Sequence, residues 1–349
     1  MPVSAPAAPR ARWSALRLRQ SAHLRDLCAE TSFTTAHLIQ PLFVVDGLAA
    51  IEAIPGLDGN HRLTIDAALR TIESDIAAGV RHFLLFAVPS KGAYPSVGAF
   101  AARVVEAIKQ RFADTMHLWV DICLCSTTDD GHCAISGPDH QIDLDPTLAA
   151  LEEMALRVVR AGADGVSPSD MMDGRTARLR AALDGQGFGA TPIMSYSTKF
   201  ASKFYGPFRT AASSAPKHGT REHYQIDVRA RTDALASSLR CAGEGADLLM
   251  VKPGMTSIDL IGPIREATGR PVGAYQVSGE YAGLCLLQRE GLIDLDAALL
   301  ETWHVFRRAG AAYIITYGAR RAAALGLPRW SITRPSSPAR PTALRVRCP

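Results

Sequence analysis

Short runs of β-branched and large apolar residues alternate with longer amphipathic stretches along most of the chain. The short runs are typical of buried strands, and the longer stretches repeat apolar positions at helical spacing. The strand candidates are 38–45, 82–88, 117–125, 164–169, 192–197, 247–253, 271–278 and 312–317. The helical candidates include 64–78, 97–111, 147–161 and 294–309. The pattern therefore predicts eight strands that alternate with helices.

Several of the helical stretches close with Ala-Gly just before the next strand, as at Gly162 and Gly310. A glycine at that position can adopt a left-handed conformation, which ends the helix and turns the chain back. Eight such units predict a closed parallel (β/α)8 TIM barrel, with a doubly wound open sheet as the alternative. In a barrel, catalytic side chains are expected at the carboxyl ends of the strands.

The chain divides into three predicted parts. Residues 1–35 form an N-terminal arm, 36–329 the barrel, and 330–349 a Pro- and Arg-rich tail that we expect to be disordered. The first 25 residues are Arg-rich and contain no acidic residue, so an organelle transit peptide is the alternative to an arm. Residues 200–225 show no clear periodicity, and so long a loop within a domain indicates a lid or a binding loop.

Composition narrows the class of protein. The chain has 349 residues, of which 47% are apolar, and a net charge of +4 that is concentrated at the two ends. The balanced middle argues against a nucleic-acid surface, and no apolar run is long enough to predict a membrane span. Seven unevenly spaced cysteines do not form a disulfide framework, so we expect a reducing cytoplasm.

Two lysines stand at the ends of predicted buried strands. Lys252 ends the run at 247–253, and Lys199 follows the run at 192–197. Burial disfavours the charged form of an amine, and a second amine nearby adds to that effect, so each lysine is a candidate nucleophile. The alternative is that both are solvated lysines on loops. Ser278 and Tyr317 end the last two predicted strands, so all four side chains are expected at one mouth of the barrel.

Three cysteines form the second candidate site. Cys123 and Cys125 are two residues apart at a predicted strand end, so both would project from one face, and the loop through Gly131 can return Cys133 to them. Three thiolates with an open fourth position are typical of a catalytic zinc site. His132 is left out because adjacent residues seldom bind one tetrahedral ion. The alternative is three buried free cysteines.

These residues lie within longer motifs that resemble one known family. Together they closely resemble porphobilinogen synthase, also called 5-aminolevulinate dehydratase, and the likeness runs from about residue 15 to residue 328. The lysine segments and the run Pro-Ser-Asp-Met-Met-Asp-Gly are highly specific to that family. The matching stretches are 17–47, 121–133, 167–175, 194–209, 224–227, 244–254, 275–281 and 308–317.

The resemblance implies a barrel enzyme, a hydro-lyase of haem and other tetrapyrrole biosynthesis. It would condense two molecules of 5-aminolevulinate into porphobilinogen with the loss of two waters. Lys252 would form a Schiff base with the first substrate and Lys199 with the second. Zn2+ on Cys123, Cys125 and Cys133 would hold or polarise the second substrate. The arm would wrap a neighbouring subunit, usually within a homo-octamer.

The resemblance also implies the residues that bind the substrates. Arginine is suited to carboxylates, because its planar guanidinium group matches their geometry. The implied contacts are Arg209 and Arg221 for the carboxylate of the metal-side substrate, Ser278 and Tyr317 for the other carboxylate, Asp121 and Ser169 near the first substrate's amine, and Phe204, Tyr205 and Phe208 for the apolar wall of the lid.

Some positions depart from the family pattern. Many members carry a glutamate that binds an allosteric Mg2+ fifteen residues before the Schiff-base lysine, but Ser237 stands here, which argues against magnesium activation. Arg240 is a hypothetical substitute for the charge of that ion, which titration of the activity with magnesium would test. His218-Gly219-Thr220 replaces Phe-Gly-Asp before Arg221, so the anchoring of the lid is expected to differ.

Two other functions stay open at the level of sequence. A Schiff-base class I aldolase on the same barrel would use Lys252 but would have no use for the three cysteines, so it should keep its activity in a chelator. A catalytically retired homologue would form no borohydride-reducible adduct with 5-aminolevulinate.

Overall fold

The computed structural model describes residues 16–90, 97–137 and 141–328. The predicted tail at 330–349 and the first fifteen residues of the predicted arm lie outside these residues. None of the described helices is long and apolar enough to cross a membrane.

The strands and helices of the described residues follow the predicted alternation. The strands are β1 (Leu38–Val45), β2 (Glu52–Ala53), β3 (His61–Leu63), β4 (His82–Val88), β5 (His117–Ile122), β6 (Gly165–Pro168), β7 (Met194–Lys199), β8 (Leu248–Lys252), β9 (Val272–Gln276) and β10 (Tyr313–Thr316). The helices are α1 (Ala22–Leu27), α2 (Ile65–Ala77), α3 (Ala99–Phe112), α4 (Leu144–Arg160), α5 (Arg175–Gly185), α6 (Gly206–Ala211), α7 (Arg231–Gly243), α8 (Ile261–Thr268), α9 (Ser278–Arg289) and α10 (Leu295–Arg308).

Eight of the strands form one parallel sheet that closes on itself. Their order is β6-β5-β4-β1-β10-β9-β8-β7, and the two ends of this order meet through a parallel bridge between Val166 and Ile193. The amide of Val166 donates a hydrogen bond of 3.1 Å to the Pro192 carbonyl at this junction. The short strands β2 and β3 lie beside β1, outside the barrel order. The predicted (β/α)8 barrel is therefore confirmed.

Several details differ from the predictions, and three of them bear on the site. The third predicted strand was expected to reach residue 125 but ends at Ile122, and the seventh was expected to reach residue 278 but ends at Gln276. The segment 200–225, predicted to lack regular structure, contains a 3-10 turn at Lys203–Tyr205 and the short helix α6. In each case the chain begins a turn or a helix as soon as it leaves the barrel wall, which sequence periodicity over so few residues does not reveal.

Large and small residues alternate between neighbouring strands inside the barrel. Trp119 of β5 is the register partner of Gly165 of β6, and Tyr313 of β10 is the register partner of Gly273 of β9. A Cβ atom on Gly165 would lie 2.4 Å from the Trp119 ring, and one on Gly273 would lie 2.2 Å from the Tyr313 ring. The two rings therefore occupy the volume that the glycines leave, which fills the interior at this level of the barrel.

We predict that Gly273→Ala destabilises the fold by about 1–3 kcal/mol, because the added methyl group overlaps the Tyr313 ring in a close-packed interior. Urea unfolding measures the change. Gly283→Ala in α9 is the matched control, since a Cβ atom there meets nothing within 4 Å. Helix propensity should make the control neutral or more stable by up to about 1 kcal/mol. Equal effects of the two substitutions would contradict the packing argument.

Candidate active site

The two predicted lysines are neighbours at the carboxyl ends of adjacent strands. Lys199 ends β7, Lys252 ends β8, and the two are register partners in the parallel pairing of these strands. They are only 5% and 4% exposed. Their Nζ atoms lie 5.7 and 4.8 Å from the centre of the same ring, that of Tyr196. The structure therefore brings the two amines together in a buried site rather than leaving them on solvated loops.

An irregularity in β7 gives this strand two inward side chains near its end. The pairing of β7 with β8 shifts register between Ser195 and Thr198. Thr198 turns outward, where its hydroxyl donates to the Ala234 carbonyl of α7 at 3.1 Å. Strict alternation would place Tyr196 and Lys199, three residues apart, on opposite faces, but a bulge adds one residue to the count. Both side chains consequently reach the interior.

Lys252 lies among aromatic rings. Its Nζ is 4.4 Å from the ring centre of Tyr275, 5.0 Å from that of Phe208 and 5.3 Å from that of Tyr205. Burial, followed by the positive charge of Lys199, lowers the pKa of Lys252 to about 7. Near neutral pH a large share of this lysine is therefore the free amine, which is the form that attacks carbonyl groups.

Lys199 has a different environment. Its Nζ donates a hydrogen bond to the carbonyl of Ser169, which follows β6. The amide of Ser169 in turn donates to the Ile122 carbonyl at 3.1 Å, so the loop that carries this acceptor is fixed to β5. Lys199 is thus held by the barrel wall, whereas Lys252 faces aromatic rings.

Asp121 and Ser169 lie with the lysines, as the resemblance implies. Burial raises the pKa of Asp121 to about 6, while the charges of Lys199 and Lys252 and a hydrogen bond from Ser169 act in the opposite direction. The Oδ1 atom of Asp121 is shielded from solvent and has no hydrogen-bond partner among the described residues. This oxygen is therefore available to accept a hydrogen bond from a bound molecule.

The three predicted cysteines meet in one buried cluster. The Sγ atoms of Cys123, Cys125 and Cys133 all lie within 4.8 Å of one another, and each residue is at most 7% exposed. Because β5 ends at Ile122, Cys123 and Cys125 lie in the following turn and not on an extended strand as predicted. The turn is closed by hydrogen bonds from Thr127 and Thr128 to the Leu124 carbonyl.

The donor set of this cluster fits a tetrahedral zinc ion. Zinc–sulfur bonds of about 2.3 Å place tetrahedral sulfur ligands about 3.8 Å apart, which is within the observed spacing. Hydrogen bonds from Cys123 and Cys125, with the charges of Arg221 and Lys199, hold the pKa of Cys133 well below its usual value despite its burial. A thiolate is the form that binds a metal.

His132 is occupied elsewhere. Its Nδ1 lies 3.2 Å from the Tyr224 hydroxyl, and its Nε2 lies 2.9 Å from the His218 carbonyl. The Tyr224 hydroxyl also accepts a hydrogen bond of 3.3 Å from the amide of Cys133. Among the described residues, the group that could hold a metal consists of the three cysteines without His132. The histidine instead connects the loop of Cys133 to the segment around Tyr224.

Arg209 and Arg221 form a positively charged pair beside the cysteines. Arg221 is buried, and its Nη2 donates to the Gly131 carbonyl at 2.8 Å. Burial and the charge of Arg221 lower the pKa of Arg209, whose Nε has no hydrogen-bond partner among the described residues. Neither arginine forms an ion pair with any carboxylate of the residues that the structure describes. Two such guanidinium groups are suited to an anionic ligand.

Ser278 and Tyr317 lie at the carboxyl ends of the last two barrel strands. Ser278 opens α9 and Tyr317 follows β10, so both stand just beyond the strands that were expected to carry them. The Ser278 hydroxyl accepts from the amide of Phe208 at 3.0 Å and lies 3.3 Å from the Phe204 carbonyl. The Tyr317 hydroxyl lies 3.2 Å from that of Tyr275. Ser278 therefore connects the lid backbone to the mouth of the barrel.

The three aromatic residues of the lid do not share one environment. Tyr205 is buried and its hydroxyl donates to the Phe200 and Lys252 carbonyls at 2.8 and 3.1 Å. The Phe208 ring packs 5.0 Å from the ring of Phe86. Phe204, however, is 44% exposed, whereas Tyr205 and Phe208 lie close to the amine of Lys252. The 3-10 turn at Lys203–Tyr205 directs it outward.

Two buried side chains of the site were missed in the sequence. Tyr196 is fully buried between the lysines, and its hydroxyl has no hydrogen-bond partner among the described residues. Gln225, four residues after Arg221, is 3% exposed, and neither polar atom of its amide has a partner there. Both lie in quoted motifs. The sequence did offer one signal for Tyr196, since it is a polar residue within a predicted buried strand. Its face could not be predicted, because the bulge in β7 breaks the alternation of side chains.

The two positions that bear on magnesium lie on α7. Ser237 is buried, and its hydroxyl donates to the Ser197 carbonyl at 2.7 Å. Arg240 forms an exposed ion pair of 3.0 Å with Asp173. Ser237 therefore supports β7 from outside the barrel, and the charge of Arg240 is paired within the chain.

Comparison with known proteins places the chain among relatives of one kind. A family model described as delta-aminolevulinic acid dehydratase matches residues 13–325. The enzyme of that name from Helicobacter pylori is 41% identical over 317 residues, which cover 88% of this chain and 97% of that protein. The one from Synechococcus elongatus is 39% identical over 315 residues, which cover 88% of this chain and 96% of that protein.

A solved structure supports the same assignment. It is delta-aminolevulinic acid dehydratase (porphobilinogen synthase) from Toxoplasma gondii, in complex with the reaction product porphobilinogen. It is 36% identical, superposes with a TM-score of 0.86, and the match covers 91% of this chain and 92% of that chain. From the family match and the identity over most of its length, we conclude that the chain belongs to the delta-aminolevulinic acid dehydratase family.

Proposed function

We propose that this protein condenses two molecules of 5-aminolevulinate into porphobilinogen with the loss of two waters. The observation that carries the proposal is the pair of buried, register-matched lysines beside a cluster of three cysteines. The relatives that share the family include a structure holding porphobilinogen as its reaction product, which supports the same reaction.

Lys252 is the amine that attacks first. Its neutral nitrogen adds to the ketone carbon of one 5-aminolevulinate, and loss of water gives a protonated imine. Lys199 forms a second imine with the other substrate, so the two waters are released at these steps. A carbon–carbon bond and a carbon–nitrogen bond between the substrates then replace the bonds to the lysines, which leave as amines. The protonated imine withdraws electrons, which assists both bond formations.

The carboxylates of the substrates orient them on either side of the lysines. Arg209 and Arg221 bind the carboxylate of the substrate on the cysteine side, where Gln225 adds an unpaired amide. Ser278 and Tyr317 bind the other carboxylate through their hydroxyl groups. Asp121 and Ser169 receive the amine of the first substrate. Tyr205 and Phe208 exclude water above Lys252, and Phe204 belongs to the outer part of the same lid.

Cys123, Cys125 and Cys133 would hold a zinc ion. When bound there, the ion supplies a Lewis acid to the substrate on the cysteine side. This cluster also separates the proposal from a Schiff-base class I aldolase, which needs one lysine and no thiolates. The three thiols must remain reduced to bind a metal, which agrees with the predicted cytoplasmic location.

The predicted arm has the character of a subunit contact. Among its described residues, Leu16, Leu18 and Leu27 are 46%, 57% and 81% exposed, and α1 buries none of its residues. Exposed apolar side chains of this kind favour burial against another chain. We therefore propose that residues 1–35 mediate a homo-oligomer, and the family resemblance implies an octamer.

We predict that sodium borohydride with 5-aminolevulinate reduces an imine on Lys252 and abolishes porphobilinogen formation. Mass spectrometry of the digested protein identifies the modified lysine. Lys252→Met should lose both the adduct at this position and the activity, whereas Lys199→Met should keep the adduct on Lys252 and lose the activity. Lys203→Met is the control, because that lysine is 89% exposed on the lid and should leave both unchanged. A wild-type protein without any adduct would favour a retired homologue.

We predict that the rate of adduct formation on Lys252 depends on pH with a midpoint of about 7. Only the neutral amine reacts, so the rate should fall about tenfold per pH unit below the midpoint and level off above it. In Lys199→Met the midpoint should move to higher pH, because removal of a positive neighbour favours the protonated form of Lys252. A midpoint that stays in place in Lys199→Met would contradict the coupling of the two amines.

We predict that a chelator removes the metal and the activity together, and that Zn2+ restores both. Cys133→Ser should lose the bound zinc, measured by elemental analysis, and at least about 100-fold of the activity. Cys241→Ala is the control, since this cysteine is also buried but stands alone on α7. Full activity in the metal-free protein would support the aldolase alternative instead.

A further inference from the structure

One buried hydroxyl in the barrel interior has no assigned role. Tyr196 is fully buried, and its Oη has no hydrogen-bond partner among the described residues. Buried hydroxyl groups are nearly always paired, because an unpaired one loses its bonds to water without replacement. An orphaned hydroxyl in a reaction chamber is therefore expected to find its partner in a bound molecule.

The other buried tyrosines around the barrel show how unusual this is. The hydroxyl of Tyr205 donates to two backbone carbonyls, and that of Tyr313 donates to the Leu249 carbonyl at 2.7 Å. Tyr275 and Tyr317 pair with each other at 3.2 Å. Among these residues the fold satisfies each phenol except that of Tyr196. Packing alone would allow phenylalanine at this position.

The position of Tyr196 is suited to chemistry at the lysines. Its ring centre lies 4.8 Å from the Nζ of Lys252 and 5.7 Å from that of Lys199. The bulge in β7 places it on the same inward face as Lys199. The charge of Asp121 of β5 also acts on this phenol, where it contributes to raising the pKa of Tyr196. A substrate carbon bonded to Lys252 would lie beside this phenol.

The phenol of Tyr196 remains protonated. Burial, followed by the charge of Asp121, raises the pKa of Tyr196 well above its usual value. The group therefore presents an O–H donor, and not a phenolate, at neutral pH.

We propose that Tyr196 is a further catalytic residue, the general acid that releases water as the imine forms on Lys252. The amine of Lys252 first adds to the ketone to give a carbinolamine. The Tyr196 proton then passes to the carbinolamine hydroxyl, the carbon–oxygen bond breaks, and the nitrogen lone pair forms the protonated imine. The phenolate regains a proton when a substrate carbon is deprotonated to release the lysine. Atoms and charge balance over the cycle without another reactant.

This inference rests on the proposed Schiff-base function, and its test separates the two. Tyr196→Phe keeps the ring over both lysines and removes the hydroxyl. We expect the rate of the borohydride-reducible adduct on Lys252 to fall by about 100-fold or more, while the Kd of 5-aminolevulinate changes by less than about threefold. Borohydride reduces the imine and not the carbinolamine, so the assay reports the dehydration step.

Tyr313→Phe is the matched control. It also removes one buried phenol, but one whose hydroxyl is bonded to the Leu249 carbonyl and for which no substrate contact is proposed. It should lower the urea midpoint and leave the adduct rate unchanged. Tyr196→Phe should leave the urea midpoint unchanged and lower the adduct rate. Its hydroxyl makes no hydrogen bond within the fold, so none is lost. A structural role for Tyr196 would instead lower its urea midpoint and spare the adduct rate.

A second variant preserves the test if Tyr196→Phe folds poorly. Incorporation of a fluorinated tyrosine at position 196 keeps the side-chain shape and makes the phenol a stronger acid, so adduct formation should become faster. Adduct formation at the wild-type rate in Tyr196→Phe would overturn the inference and leave the Schiff-base function intact. Absence of the adduct in the wild-type protein would overturn the proposed function, and this inference with it.

Discussion

The burial of two amines at one level of the barrel is the constraint on which the rest of the site depends. Water stabilises an ammonium ion far better than a barrel interior does, and the positive charge of Lys199 further disfavours the charged form of Lys252. Lys199 and Lys252 meet because register pairing joins the last residues of two adjacent parallel strands. The aromatic rings around Lys252 lower the free-energy cost of burying its charged form, because ring faces attract a cation. The site thus allows the amine to exist in both forms near neutral pH.

The loops that follow the strands hold this arrangement in place. Glu280 of α9 accepts hydrogen bonds from the amide of Met255 at 2.8 Å and from that of Val277 at 2.9 Å. One of these amides follows Lys252 closely and the other precedes Ser278. A single buried carboxylate therefore connects the loop after the nucleophile to the residue proposed to bind a substrate carboxylate. Hydrogen bonds of this kind hold separate loops in fixed relative positions, so that the side chains on them form one preorganised site.

Hydrophobic periodicity was sufficient to predict the barrel, because each barrel strand is buried on both faces and ends in a turn. It also predicted that the candidate site lies at the carboxyl ends of these strands. The clustering of Cys123, Cys125 and Cys133 was also predicted, although the expected reason, two residues on one strand face, was wrong. Tyr196 and the exposure of Phe204 could not be predicted. Both depend on local backbone events, a bulge in β7 and a 3-10 turn, that shift a side chain by one position without a distinctive composition.

The unequal environments of the two lysines support an order of events. Lys199 already donates a hydrogen bond to the Ser169 carbonyl, so its attack on a ketone requires that this bond be given up. The Lys252 nitrogen instead faces rings, which bind a cation but offer no strong acceptor to a neutral amine. In the proposed mechanism, the first imine would therefore form at lower cost on Lys252. When protonated, that imine would be a cation, so it would carry the charge that the rings around Lys252 accommodate. The proposed order of the two imines therefore follows from the different contacts of the two amines.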